Sequence, residues 1–523
     1  MTSLAVPAQF QAVAVNYWAI MPILVVFGGA LVGVLIEAFA PRPVRHTLQV
    51  VVTVVTLIGA LVVLVLKSRH DEGITLGGAI VIDGPALFMM GSVLVLSLLA
   101  VLLMAEKFSS TGADAFTPMG AAVPGSRLEA TATEAGWGTG EVFPLALFSI
   151  AGMMIFPAAG DLLTMFVALE VLSLPLYILT GLARRKRLLS QEAALKYFLL
   201  GSFSSAFFLF GSALLYGYAG SVGFGAISEA ISAGAVTYNG LLLPGVVFVL
   251  VGLLFKIGAV PFHAWTPDVY QGAPTPVTGF MAACTKLAAF GAILRLVYVG
   301  IAANRWDWRI GVMAVAALTM VIGSILSVTQ TDIKRLLAYS SIAHAGFILT
   351  GVLAFDKAGV SGVMFYTLAY GLATIAAFGV VALVRQRDGG GEATGLTQWA
   401  GLGRSHPVIA GVFGLLLLTF AGIPLTSGFT AKFAAFAPAV ATGGRGAVLL
   451  VVIGVLCSAI TAFVYVRIIV LMYFTEGSGD VVALTPSVLA TIALAAAVIA
   501  TIGLGVMPGP VLDLAGQASQ FLR

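Results

Sequence analysis

Charge is what this sequence has least of. Acidic and basic side chains make up 9% of its 523 residues, against about 25% in an ordinary soluble domain, which excludes a water-soluble globular body. Cysteine is nearly absent as well. Cys284 and Cys457 both lie in apolar runs, too few for a four-thiolate iron–sulfur or zinc site and no basis for a disulfide framework. No GxGxxG or P-loop pattern occurs, so any redox chemistry belongs to another chain. The net charge of +4 is small and scattered, which argues against nucleic acid as a partner. The opening residues, MTSLAVPAQFQAVAVNYW, lack a basic n-region and a cleavage site, and read as the approach to a first span rather than a signal peptide.

What fills the sequence instead is hydrophobic residue, 60% of the total. Apolar windows long enough to cross a bilayer fall near 18–39, 46–66, 84–104, 142–158, 161–181, 192–218, 241–265, 275–300, 309–329, 333–354, 360–384, 407–437, 447–474 and 484–506. The expectation is an all-α polytopic membrane protein with about fourteen transmembrane helices. One long hydrophilic stretch, 105–141, reads as a flexible loop. With an external N-terminus, thirteen lysines and arginines fall in inside loops (among them Arg42, Arg45, Lys107, Arg184, Arg185, Lys186, Arg187 and Arg404) and seven outside (Lys67, Arg69, Arg305, Arg309, Lys357, Arg445 and Arg523). The positive-inside rule then predicts both termini outside.

Asp161 opens a span that ends in Ile178-Leu179-Thr180-Gly181, and Asp332 opens one that ends in Ile348-Leu349-Thr350-Gly351. Four matching residues in an apolar chain also arise by chance. The two spans run in opposite directions in the topology above, however, which is the arrangement of inverted repeats. Helices 4–8 and 9–13 are then two five-helix units. The division reads 1–104, a three-helix segment; 105–141, the loop; 142–300 and 309–475, the repeats; and 484–523, a last helix and tail.

Ionisable groups inside spans cost roughly 3 kcal/mol each on insertion scales, so each one asks for a reason. At about 1.5 Å per helical residue, Glu170 lies roughly 14 Å, Lys286 roughly 15 Å and His344 roughly 16 Å from the start of their spans. All three are near the middle of a core about 30 Å thick. Lys256 lies roughly 22 Å along its span, just before Pro261. Lys432 follows the interruptions at Gly422, Pro424 and Gly428. Snorkelling to the interface accounts for Lys67 and Lys107 and is open for Lys196, but not for these deeper lysines. His344 is open to a packing role. Arg295 and Arg467 stay charged at any accessible pH, so they read as structural or field-setting, and Glu37 reads as a rim charge. Broken helices 7 and 12 free backbone groups that persist at depth only where protein or water satisfies them. A lysine withdrawn from water holds its proton less tightly, and a nearby carboxylate restores it, so a file of such groups is suited to stepwise proton movement.

The segment FKIGAVPFHAWTPDVYQGAPTPVT (255–278) resembles the signature of the antiporter-like subunits of respiratory complex I and of Mrp-type sodium/proton antiporters. QTDIKRLLAYSSIAHAGF (330–347), AGIPLTSGFTAKF (421–433) and GDLLTMFVALEVLSLPLY (160–177) resemble further motifs of that family. The resemblance spans about 142–475, and the PDVYQGAP wording favours the complex I branch over the Mrp branch. It implies that Glu170 is the span-5 glutamate and Lys196 its span-6 lysine partner. It also implies that Lys256, Lys286 and Lys432 are the lysines of spans 7, 8 and 12, with His344 a hydrophilic position of span 10. The function implied is proton translocation in a bacterial cell membrane. Neighbouring antiporter-like and other membrane subunits of complex I are the implied partners, the bilayer is the setting, and flavin, iron–sulfur clusters and quinone are implied in partner chains. No cofactor or metal is expected in this chain. The 105–141 loop departs from the pattern, and the long C-terminal lateral helix of the largest family member is missing. A solute transporter would cluster its polar residues around one pocket, and a purely structural subunit leaves the deep lysines without a reason.

Overall fold

The structure, a computed structural model, describes residues 13–67, 72–107, 114–135, 137–234, 239–387, 391–442, 444–477, 479 and 481–522. Arg69, Arg523, most of the N-terminal approach and part of the 105–141 stretch lie outside them. The described chain is almost entirely helical. In order come α1 (Tyr17–Phe39), α2 (Arg42–Leu66), α3 (Gly84–Met104), α4 (Arg127–Glu134), α5 (Val142–Ile155), α6 (Leu162–Thr180) and α7 (Arg187–Ala219). Next are α8 (Phe224–Ala233), α9 (Leu242–Ile257), α10 (Trp265–Gly272), α11 (Thr275–Phe280), α12 (Lys286–Arg295), α13 (Arg305–Val328) and α14 (Ile333–Val352). The last are α15 (Lys357–Leu383), α16 (Leu402–Ser405), α17 (Pro407–Ala421), α18 (Ser427–Thr442), α19 (Gly444–Phe474), α20 (Val488–Val506) and α21 (Gly509–Gln517). Two short antiparallel ribbons, Gly73–Thr75 with Ile80–Ile82 and Val384–Gln386 with Val481–Ala483, close loops.

Among the described residues ten helices are long and apolar enough to cross a bilayer. Helices at 142–158, 242–257 and 407–421 are apolar but shorter, and α14 carries Lys334, Arg335 and His344. The helix ends are set by short polar side chains that accept from the otherwise unpaired first-turn amides. Asn16, Asp83, Asp161, Asp332, Asp356 and Ser487 do this for α1, α3, α6, α14, α15 and α20. The two interrupted helices stop at glycines in the left-handed region, Gly258 (φ 73°) and Gly422 (φ 80°), a conformation that costs other residues steric strain.

The stretch Thr275–Gly300 and helix α15 are enclosed along nearly their whole length, whereas α1, α2, α19 and α20 leave much of their apolar surface outward. The centre of the bundle is therefore where α12, α14, α15 and α18 meet. Crossed backbone bonds hold the start of α6: Leu162 N donates to Val222 O (3.0 Å) and Phe224 N to Gly160 O (3.1 Å). The same pair recurs at α14, where Ile333 N donates to Thr394 O (2.7 Å) and Leu396 N to Thr331 O (2.8 Å).

The hydrophilic stretch differs from the flexible loop expected. Its described part contains α4 and is fastened by the basic turn between α6 and α7. Arg184 pairs with Asp114 at 2.9 Å, and Arg187 pairs with Glu129 at 2.8 Å while also donating to Thr117 Oγ1 and the carbonyls of Met119 and Gly120. Partial burial would raise the Glu129 carboxyl, but bonds from Arg187 and the Gly125 amide outweigh it and hold the group below its ordinary value. The arginines that were counted as loop charge are thus spent on this segment. Lys67 also departs from expectation: instead of snorkelling it is buried and donates to the Ala19 carbonyl. Replacing Arg187 by alanine is expected to raise the rate of protease cleavage within 114–135 several-fold in membranes. An unchanged cleavage rate would show that the arginine does not fasten the segment.

Candidate functional site

Lys256 sits in the last turn of α9, one residue before the break, and is 5% exposed. Its Nζ donates to Ser173 Oγ of α6 (2.7 Å) and Tyr197 Oη of α7 (3.2 Å). Trp265, the first residue after the break, lies parallel to the Tyr197 ring at 4.8 Å and is held by a 3.0 Å bond from its indole N–H to Phe255 O. Glu170 is the carboxylate whose charge reaches Lys256, and its Oε1 is buried without a hydrogen-bond partner among the described residues.

The expected pairing of Glu170 with Lys196 is not what the packing produces. α6 and α7 are antiparallel: Tyr177 packs on Tyr197 and Phe198, while Phe166 stacks on Phe208. Glu170 therefore lies level with residues near 205 of α7, roughly 13 Å along the axis from Lys196. Lys196, 42% exposed, instead pairs with Glu192 (2.7 Å) and with Asp268 Oδ2 of α10 (2.8 Å). The other Asp268 oxygen is taken by Arg335 of α14 at 2.5 Å, which also donates to Gln271. Asp268 and Arg335 were missed as interacting groups. The available signal was Asp268 itself, an acid inside the quoted PDVYQGAP motif, but its two cations come from helices distant in sequence.

Lys286 follows a π-helical turn, Met281–Thr285, and is 4% exposed. Its Nζ donates to the carbonyl and hydroxyl of Ser341 in α14, and it lies 5.4 Å from the Tyr370 ring of α15. That ring is 4.8 Å from His344. His344 Nδ1 bonds Tyr366 Oη at 2.8 Å, while its buried ring borders a small cleft with Thr419, Phe420 and Gly428. Lys432, 7% exposed, curls back to the broken end of α17. It donates to Phe420 O (3.1 Å), Ala421 O (2.8 Å) and Ser458 Oγ (2.6 Å). Carbonyls left over by a helix C-terminus suit a cation. Phe347 lies between the last two groups, 5.5 Å from His344 and 5.0 Å from the Lys432 ammonium.

Tyr270 stands between the surroundings of the first lysine and the second: it packs edge-on to Trp265 at 6.4 Å, and its hydroxyl lies near Ser341. The structure therefore buries Lys256, Lys286, His344 and Lys432 with aromatic rings between them, sets Glu170 within electrostatic reach of Lys256, and leaves Lys196 on a flank. None of the three deep lysines has a carboxylate in ion-pair contact among the described residues. Lys256 is satisfied by hydroxyls alone, and Lys286 and Lys432 by carbonyls and a hydroxyl each; a hydroxyl both accepts and donates.

A bundle of this kind, with ammonium groups on central and broken helices, is the architecture of proton-antiporter membrane subunits. The family model described as NADH:quinone oxidoreductase/Mrp antiporter, TM, matches residues 159–461. The chain belongs to this family, in its NADH-quinone oxidoreductase subunit N branch. It is 54% identical to NADH-quinone oxidoreductase subunit N of Rhodococcus opacus over 99% of both chains. A chain of respiratory complex I from Thermus thermophilus superposes with a TM-score of 0.76 at 32% identity, covering 95% of this chain and all of that one. A chain of the Mrp complex from Dietzia sp. superposes with a TM-score of 0.78 at 23% identity over 96% and 97%, which shows the shared fold.

Close helix approach holds Lys432 in place. A Cβ on Gly362 of α15 would lie 2.1 Å from Ala434 O of α18, far inside contact distance. Gly362→Ala is expected to lower the yield of assembled complex on native gels several-fold. A normal yield would show that α18 can shift away without consequence.

Proposed function

We propose that this chain moves protons across the bacterial cell membrane as a membrane subunit of NADH-quinone oxidoreductase, driven by NADH-to-quinone electron transfer in partner subunits that hold flavin, iron–sulfur clusters and quinone. The observation that carries this reading is the set of three buried ammonium groups, each bonded to at least one hydroxyl that can both accept and donate a proton, with Tyr197, Tyr270, Tyr370 and His344 packed between them. Protons enter from the inside near spans 7 and 8, pass Lys256 and Lys286, and leave on the outer side by way of Lys432. The route is lateral, along the membrane plane. Glu170 sets the field at Lys256 and gates it. Lys196 acts from the flank through Asp268 and is no longer the partner of Glu170.

The reading carries its topology with it: fourteen spans, 142–300 and 309–475 as inverted units, and 1–104, 105–141 and 484–523 around them, with both termini outside. The matching bonds at α6 and α14 support the repeat. Neighbouring antiporter-like subunits are the expected partners. An Mrp-type cation/proton antiporter subunit is the alternative, and the 54% identity to a subunit N weighs against it. A charge crossing the membrane meets about 2.3 kcal/mol per 100 mV, so the route has to be gated if it is not to leak.

Lys256→Ala should abolish most proton pumping per electron in inverted vesicles while the complex still assembles; undiminished pumping would sink the relay. Lys432→Ala should lower the proton yield to a similar degree, and a normal yield would remove it from the exit.

A further inference from the structure

Outside this set of groups, the most deeply buried ion pair is Arg295 with Asp83, 1% and 0% exposed. The guanidinium grips the carboxylate with both nitrogens, Nη1 to Oδ2 at 2.7 Å and Nη2 to Oδ1 at 2.6 Å, and its Nε donates to Pro157 O at 2.8 Å. Asp83 also accepts from Ala86 N (3.1 Å), capping α3, and from Leu522 N in the tail (3.0 Å). Phe521 lies 5.1 Å from the guanidinium. One side chain thus joins α3, the end of α5, α12 and the chain's last residues.

Its place on α12 gives this clamp a consequence. Lys286 and Arg295 are the two ends of one regular helical segment. Nine residues are about two and a half turns, so the two side chains point to nearly opposite sides. Arg295 faces α3 and Lys286 faces Ser341 in α14. On either side the segment meets a π-helical turn, Met281–Thr285 and Leu296–Gly300, where the regular ladder that would fix its rotation is interrupted. Of the eight residues between, Ala288, Ala289, Gly291 and Ala292 are small, and Leu287, Phe290, Ile293 and Leu294 are buried apolar side chains whose contacts carry no direction. The bidentate fork is the strongest directional contact on the segment.

We propose that Arg295, clamped by Asp83, is a positioning residue for Lys286: it fixes the rotation of α12 and so keeps the Lys286 ammonium on Ser341. This rests on the relay reading above. The test compares Arg295→Lys, which keeps the charge but loses the fork, with the double variant Asp83→Leu/Arg295→Met, which removes the pair without stranding a buried charge. Lys286→Ala is the control. Assembled complex is quantified, and protons pumped per electron are measured in proteoliposomes across a pH series. The expected result is several-fold lower pumping per assembled complex and a displaced pH profile in both clamp variants. Should one of them assemble poorly, the other is read in the same way. Normal pumping with an unmoved profile in whichever variant assembles overturns the proposal, because a purely stabilising pair predicts that result. If Lys286→Ala itself pumps normally, the relay reading has failed; if it fails to pump while the clamp variants are normal, only the clamp is wrong.

Discussion

Every feature of this protein's centre follows from the cost of keeping a charge away from water. An isolated ammonium at bilayer depth is unfavourable by several kcal/mol, so it persists only where oxygens are aimed at it. The fold supplies those oxygens in two ways. Breaking a helix releases carbonyls, as Gly422 does for Lys432. Placing a serine or tyrosine opposite supplies a hydroxyl, as Ser173 and Tyr197 do for Lys256. The broken spans, the enclosed position of α12 and α15, and the close approach of α15 to α18 all serve that requirement.

Two kinds of buried charge emerge, and their partners separate them. Arg295 is met by a carboxylate that takes both of its terminal nitrogens, and such a pair is fixed in charge and geometry. Lys256, Lys286 and Lys432 are met by neutral oxygens, which leaves the charge of each side chain free to change without stranding an opposite charge in contact. The Lys196–Asp268–Arg335 cluster lies between these cases. It is partly exposed and doubly paired, so losing Lys196 would still leave Asp268 with Arg335.

The deep groups were legible because depth in a span is a matter of counting. Glu170, Lys286 and His344 came out near mid-depth from residue number alone, and the structure gathers Lys286 and His344 around Tyr370. The partners were not legible, because each lies on another helix. The family resemblance paired Lys196 with Glu170, and a short turn does join their helices. Antiparallel packing pairs residues equidistant from that turn, and Lys196 is about ten residues from it while Glu170 is about eleven back from Gly181. Equal spacing would have favoured contact, but the aromatic register offsets α7 against α6, and the lysine finds Asp268 first. Hydropathy likewise cannot report that Arg184 and Arg187 fold a polar stretch onto themselves, since composition reads the same for an open loop and a fastened one.

The two broken helices also show how one backbone device carries opposite charges. Counting from the left-handed glycine, the tenth residue is Asp268 after Gly258 and Lys432 after Gly422, each three residues beyond an aromatic, Trp265 or Phe429. The helices resume differently, so that Asp268 is the fourth residue of α10 and Lys432 the sixth of α18. The surroundings then decide what can stand there. After Gly422 the side chain folds back onto bare carbonyls, which accept but cannot donate, so only a cation is satisfied. Before Gly258 the Phe255 carbonyl accepts from the Trp265 indole, and Lys256 itself stands two residues ahead of the glycine. A carboxylate at 268 draws Lys196 and Arg335 to the flank. The difference in sign between the two positions thus follows their partners, bare carbonyls for Lys432 and two cations for Asp268.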